Sequence, residues 1–147
     1  MFFGWRETSL LCFLLLYGVP NPSTGAPGQF PNSLIRPGAP FPVKTSDPNV
    51  QRAARLGVYR YNNRSNDIFL FKESRINNAT EQIVEGVIYR LNVDIRRTEC
   101  RKGIPHPNLD RCAFQKEKML NKKLTCDFEV WFTPGEQNVH IPVMLCR

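Results

Sequence analysis

The sequence predicts an α+β domain: one amphipathic helix followed by four consecutive antiparallel strands, with the sheet packed across the helix. Two observations predict it. Apolar residues recur at helical spacing in a single stretch, "KTSDPNVQRAARLGVYRYNNRSND". Beyond it, "GVIYRLNVDI", "LTCDFEVWF" and "NVHIPVMLC" each alternate with the period of two that half-buried strands require. No internal repeat interrupts this order.

The chain of 147 residues has the length of one domain with a modest core. Its first segment stands outside that core. "MFFGWRETSLLCFLLLYGV" carries Arg6 and Glu7 and then an apolar run from Leu10 to Val19, too short to span a bilayer comfortably. Small residues follow at Gly18 and up to Ala26, so residues 1–26 read as a secretory signal peptide cleaved between 18 and 26. An uncleaved membrane anchor is the alternative, and cleavage leaves no membrane segment. Residues 27–42 form a flexible proline- and glycine-rich arm, and residues 43–147 the folded domain.

The helix begins where Ser46 or Asp47 can cap it and Pro48 fits the first turn. Val50, Ala53, Ala54, Gly57, Val58 and Tyr61 make its apolar stripe, and their small size predicts close packing on something flat. It ends between Asn62 and Asn66. "IFLFKESRINNA" and "GVIYRLNVDIRRTEC" are the first two strands, joined through "TEQIVE". A loop-rich stretch holds Cys100 and Cys112. The third strand places Cys126, Phe128, Val130 and Phe132 on one face. The fourth places Val139, Ile141, Val143 and Leu145 on one face, with Pro142 marking an edge or irregular strand.

Cysteine usage narrows the function classes. Cys12 leaves with the signal, and the four that remain read as two disulfides with three possible connectivities. No pair has structural-zinc spacing, and the histidines are His106 and His140, so no metal or cofactor is implied. With all four paired there is no thiol nucleophile, and no Ser-His-Asp set is suggested, so the chain does not read as an enzyme. The net charge is +7, but the cations are dispersed and not interleaved with aromatics, which argues against nucleic-acid binding and for a solvated basic surface. Sequons at Asn63 and Asn78 make a glycosylated surface, whereas Asn21 is barred by its proline.

One feature resists this account. Just before the clean alternation from Val87 stands "QIVEG". If it falls at the bend between two strands, Ile83 and Val84 cannot both be buried behind it, and exposed branched side chains at a turn want a partner. If the strand begins at Ile83, Gly86 marks a bulge. The residues alone leave both readings open.

"QIVEG" resembles the Q-x-V-x-G first-hairpin signature of the type-2 (secreted) cystatins, inhibitors of papain-like cysteine peptidases. Gly38 in the arm, one long helix and four C-terminal-half cysteines follow the same order, from about residue 33 to the end, and "NDIFLFKESRI" is similar to the leukocystatin subgroup. The resemblance implies the cystatin fold, one long helix wrapped by a five-stranded antiparallel sheet, with disulfides Cys100–Cys112 and Cys126–Cys146. It also implies a wedge made of Gly38, the hairpin Gln82, Ile83, Val84, Glu85 and Gly86, and a second hairpin at Pro134 and Gly135. The wedge plugs the peptidase cleft, with Arg36 and Pro37 offered to the non-primed subsites.

Two departures matter. The family usually carries Pro-Trp in the second hairpin, and here Gly135 follows Pro134, which predicts weaker or altered inhibition of cathepsins. Trp131, three residues earlier, is expected to pack within its strand. Leukocystatin-like proteins also carry extra cysteines in the arm and after the helix. This mature arm has none and Arg64 stands after the helix, so a monomer is expected. Asn66, in "SND", resembles the loop with which some members inhibit legumain, although Asn-Asp makes a helix-ending turn in any case. The competing function is a cystatin-fold protein with weakened or lost papain-type inhibition, acting as a cationic binding module. Secretion is the expected destination, with the endolysosomal compartment a further one.

Overall fold

The computed structural model describes residues 38–135 and 138–147. The predicted leader, its cleavage site and the arm up to residue 37 lie outside them. In chain order come β1 (Phe41–Pro42), α1 (Pro48–Arg64), β2 (Phe69–Ile83), β3 (Val87–Arg101), a 3-10 turn (Leu109–Arg111), β4 (Lys123–Phe132) and β5 (Val139–Cys146). The strands form one antiparallel sheet in the order β1-β2-β3-β4-β5, so each strand pairs with its chain neighbour. The fifth strand beyond the four that alternation predicts is β1, too short at two residues to leave a periodic signal.

Asp47 caps α1, its carboxylate accepting from the Asn49 amide at 2.8 Å, and Pro48 begins the first turn. Val50, Ala53, Ala54, Gly57 and Val58 are buried as a stripe. A Cβ on Gly57 would sit 2.7 Å from the Phe128 ring, so the absent side chain is what lets the helix lie on β4. The stripe continues not through Tyr61, which is half-buried, but through Asn62. That side chain donates to the Phe71 carbonyl (2.9 Å) and accepts from the Phe71 amide (2.8 Å), satisfying two backbone groups of β2 from the last turn of the helix.

Tyr89, Leu91, Val93 and Ile95 of β3, with Cys126, Phe128 and Val130 of β4, close the core from the sheet side. Three register shifts along β2 bend the long β2–β3 ribbon around the helix. Disulfides join Cys100 to Cys112 and Cys126 to Cys146. The first ties the end of β3 to the loop whose Leu109 is fully buried, and the second links directly opposed positions of β4 and β5. Each closes a short loop and contributes roughly 3 kcal/mol on the chain-entropy account.

β5 departs from its expected alternation. Val139 and Ile141 are half-buried, but Val143 and Leu145 point to solvent, Leu145 at 64% exposure, while Met144 and Cys146 pack on the core. The cause is a register shift between Glu129 and Trp131, where Ile141 and Pro142 oppose the single residue Val130. Pro142 cannot donate to the ladder, the strand bulges, and one extra residue reverses the faces.

Candidate functional site

β2 runs to Ile83, the chain turns through Val84, Glu85 and Gly86, and β3 starts at Val87, the partner of Ile83. The answer to the "QIVEG" question is therefore a turn rather than a strand start. Ile83 is 59% and Val84 37% exposed. The Val84 amide donates to the Gly86 carbonyl at 3.1 Å, and the turn places Glu85 at φ 36° and Gly86 at φ 114°. Gly86 is doubly constrained. Its φ favours glycine, and a Cβ there would collide with the Phe132 carbonyl oxygen and stand 3.1 Å from Pro134 Cδ. Its bareness lets the first hairpin lie directly against the second.

On the other side stands Gly38, where a Cβ would be 3.9 Å from Val84 Cγ1. A hydrogen-bonded relay holds it there. Gln82 Nε2 donates to the Gly38 carbonyl (2.7 Å), Arg90 Nη1 donates to Gln82 Oε1 (2.7 Å), and Arg90 Nε donates to Glu129 Oε2 (2.8 Å). One end of the sheet thus assembles Gly38, Gln82 to Gly86 and Pro134 along a single edge. Gly135 is exposed in the second turn at φ 73°, with open space where a side chain would project. Trp131 does not reach that tip. It lies on the outer face of β4, tilted against His140 with ring centroids 6.0 Å apart. Arg36 and Pro37 lie outside the described residues.

Asn66 lies elsewhere, beyond the start of β2 and separated from the hairpin by the whole of that bent strand, about 45 Å along its contour. It is exposed, and its neighbours are fixed. Lys102 Nζ donates to the Ser65 carbonyl, the Ser65 hydroxyl accepts from the Asp67 amide (3.1 Å), and Asp67 bonds the Arg97 guanidinium and the Phe69 amide. Burial pushes the Asp67 carboxyl up, but Arg97 and the Phe69 amide outweigh it and hold the group below the usual carboxylate range. Asn63 is exposed in the last helical turn and Asn78 on β2. Among the described residues no group of three or more His, Cys, Asp or Glu could hold a metal ion.

Sequence reading missed Arg90 and Glu129. Their pairing depends on β3–β4 register, and Arg90↔Glu129 is a directly opposed pair that composition cannot reveal.

Residues 38–134 match the cystatin domain. The chain belongs to the cystatin family. It is 46% identical over 136 residues to human cystatin-F, covering 92% of this chain and 93% of the relative. It is 33% identical over 139 residues to cystatin-C of Saimiri sciureus, covering 94% and 92%. The crystal structure of dimeric human cystatin F superposes with a TM-score of 0.72 at 48% identity, covering 79% of this chain and 91% of that one. The family inhibits cysteine peptidases, and its members are inhibitors rather than enzymes.

Proposed function

We propose that this cystatin is a reversible, tight-binding inhibitor of papain-like cysteine peptidases of the cathepsin type, acting as a wedge through Gly38, Gln82 to Gly86 and the Pro134–Gly135 turn. The observation that carries the reading is the exposure of Ile83 and Val84 at a turn flanked on both sides by the other two segments. Apolar side chains held out by a rigid hairpin lose little entropy on docking, so a small contact area binds well. The wedge fills the cleft beside the catalytic cysteine and presents no scissile bond there. The arm before Gly38, with Arg36 and Pro37, enters the non-primed subsites.

Gly135 in place of an aromatic anchor weakens the second hairpin's share of the contact, by a few kcal/mol if nothing replaces the ring. Legumain is a second target, addressed by Asn66 at the other end of the sheet. The protein is secreted as a monomer after removal of its leader, carries glycans at Asn63 and Asn78, and meets these peptidases in endolysosomes. No helix of the described residues is long and apolar enough to cross a membrane. The human cystatin F crystal is described as dimeric, and sedimentation of the mature chain tests the monomer assignment here.

The deciding measurement is inhibition of papain and of cathepsin L by the mature chain beside its Gly135→Trp variant. Tight inhibition by the native chain supports the wedge. Inhibition by the variant alone would mean that the second hairpin is disabled, leaving legumain inhibition or cationic binding as the activity.

A further inference from the structure

The sheet face turned away from the helix carries a row of like charges. Lys72 of β2 pairs with Arg96 of β3, and Arg96 pairs with Lys123 of β4. Directly opposed residues of antiparallel strands share a face, and like charges so placed repel. Part of that repulsion is relieved internally. Lys72 Nζ donates to the Cys112 carbonyl at 2.7 Å, and Lys123 Nζ pairs with Asp94 at 2.8 Å. The rest is turned onto one ring: Lys72 Nζ and Arg96 Cζ lie 4.6 Å and 4.8 Å from the Phe114 centroid. Beside the row, the turn before β4 exposes Lys116, Lys118 and Lys122. That turn contributes one acid, Glu117; Asp94 is already engaged by Thr125, Asn77 and Lys123, and Asp110 and Asp67 lie within electrostatic reach of Lys72 and Lys122.

Six cations therefore lie around one patch; of the acids near them, Asp94 is paired with Lys123 inside it, while Asp67 and Asp110 are already paired with Arg97 and Arg55, so positive charge remains in excess. We infer that this patch, centred on Lys72, Arg96 and Lys123 and extended by the 116–122 turn, binds a sulfated polysaccharide. Dense basic clusters are the electrostatic footprint of such polyanions, and a row pinned across three strands is pre-organised for a chain of regularly spaced anions. Nucleic acid fits less well. The aromatic at the centre, Phe114, already packs against two cations, whereas single-strand binding needs ring faces open to bases. A lipid surface fits less well too. Met119, at 92% exposure, is the large apolar side chain that the turn exposes, and one methionine is a poor anchor.

The patch is remote from the hairpin edge. Lys72 precedes Ile83 by eleven residues of one bent strand, about 35 Å along its contour. A polysaccharide held there leaves the proposed peptidase-binding edge open, so matrix retention and inhibition are compatible in one molecule. The inference rests on the charge row itself and not on the peptidase reading.

The test is retention of the mature chain on heparin and its affinity for heparin oligosaccharide across a salt series. Three variants accompany it: Lys72→Gln with Arg96→Gln, Lys116→Gln with Lys118→Gln and Lys122→Gln, and, as a charge-matched control, Arg60→Gln with Arg64→Gln on the exposed end of the helix. Binding at about 150 mM salt is expected. The slope of log affinity on log salt should fall by about two and about three in the first two variants and hardly change in the control. The turn variant keeps the test decisive should the row variant fold poorly. No binding at that salt, or equal losses in all three variants, would overturn the proposal. So would equally strong, patch-dependent binding of a single-stranded oligonucleotide or of phosphatidylserine vesicles, since the partner would then not be a polysaccharide.

Discussion

At the hairpin end of the sheet two apolar side chains, Ile83 and Val84, are held out by a turn whose backbone is set by shape; at the Asn66 end a polar side chain is held out between neighbours set by charge. Ile83 and Val84 stand out because Gly86 lets two turns touch. Asn66 stands out between Ser65, held by Lys102, and Asp67, held by Arg97. The difference teaches what each end can recognise. A rigid turn with apolar side chains suits an apolar cleft, although the arm beside it is held through the Arg90–Glu129 ion pair. A clamped amide suits a pocket that selects by hydrogen bonding, and its geometry depends on ion pairs.

The largest effect is expected where the apolar end is given a charge. Val84→Asp should weaken papain inhibition by at least roughly a hundredfold, about 2.7 kcal/mol, because the carboxylate would be desolvated in the cleft. Thermal unfolding should hold within about 2 °C, and inhibition of legumain should be untouched. Unaltered papain inhibition would remove the wedge assignment.

Gly86→Ala tests whether shape, not side-chain chemistry, sets that end. The new Cβ would strike the Phe132 carbonyl, so the two hairpins must separate. We expect about 2 kcal/mol of lost stability together with weaker papain inhibition, read by chemical denaturation and by dissociation rate. Loss of inhibition at full stability would place the need for glycine in the peptidase instead of in this chain. At the other end, Asn66→Lys should abolish legumain inhibition, by tenfold or more, and leave papain inhibition as it was. A fall in both activities would mean that the ends are coupled.

Much of this contrast was legible in the sequence, and the rest was hidden for identifiable reasons. The helix, its Asp47–Pro48 start and its small-residue stripe follow from spacing and side-chain size, which local physics sets. Residues alone left Ile83 and Val84 undecided between turn and strand, because branched side chains favour a strand while the glycine that follows fits a turn or a bulge. The pairing of Ile83 with Val87 decides it. β5 misled because alternation assumes an unbroken ladder, and Pro142 breaks it. Asn62, Arg90 and Glu129 were invisible because each acts through a partner that only the fold brings near: the Phe71 backbone, Gln82 and a cross-strand neighbour. Polar residues that work through long-range pairing leave no periodic trace.

The smallest expected effect separates the ends by acid. Asp94, midway along β3, accepts from Thr125 and Asn77 and pairs with Lys123, and Asp67 stands at the Asn66 end. The Lys123 and Thr125 bonds outweigh its partial desolvation and bring its carboxyl from 3.8 down to about 2. A carboxyl depressed in the folded state stabilises above its unfolded value, and that contribution is lost as pH falls from there through the folded value. Protonating Asp94 should therefore cost about 1 kcal/mol between pH 4 and pH 2, after allowance for solvent screening of Lys123. Asp67, also held low by its own partners, should follow the same direction. Amide exchange at pH 2 should accordingly rise around Phe69, Thr125 and Arg97 before it rises at Val87, and Asp94→Asn should flatten the difference. Equal acceleration at both ends would show that the sheet opens as one unit, and that the ion pairs orient the Asn66 loop without holding its end of the sheet closed.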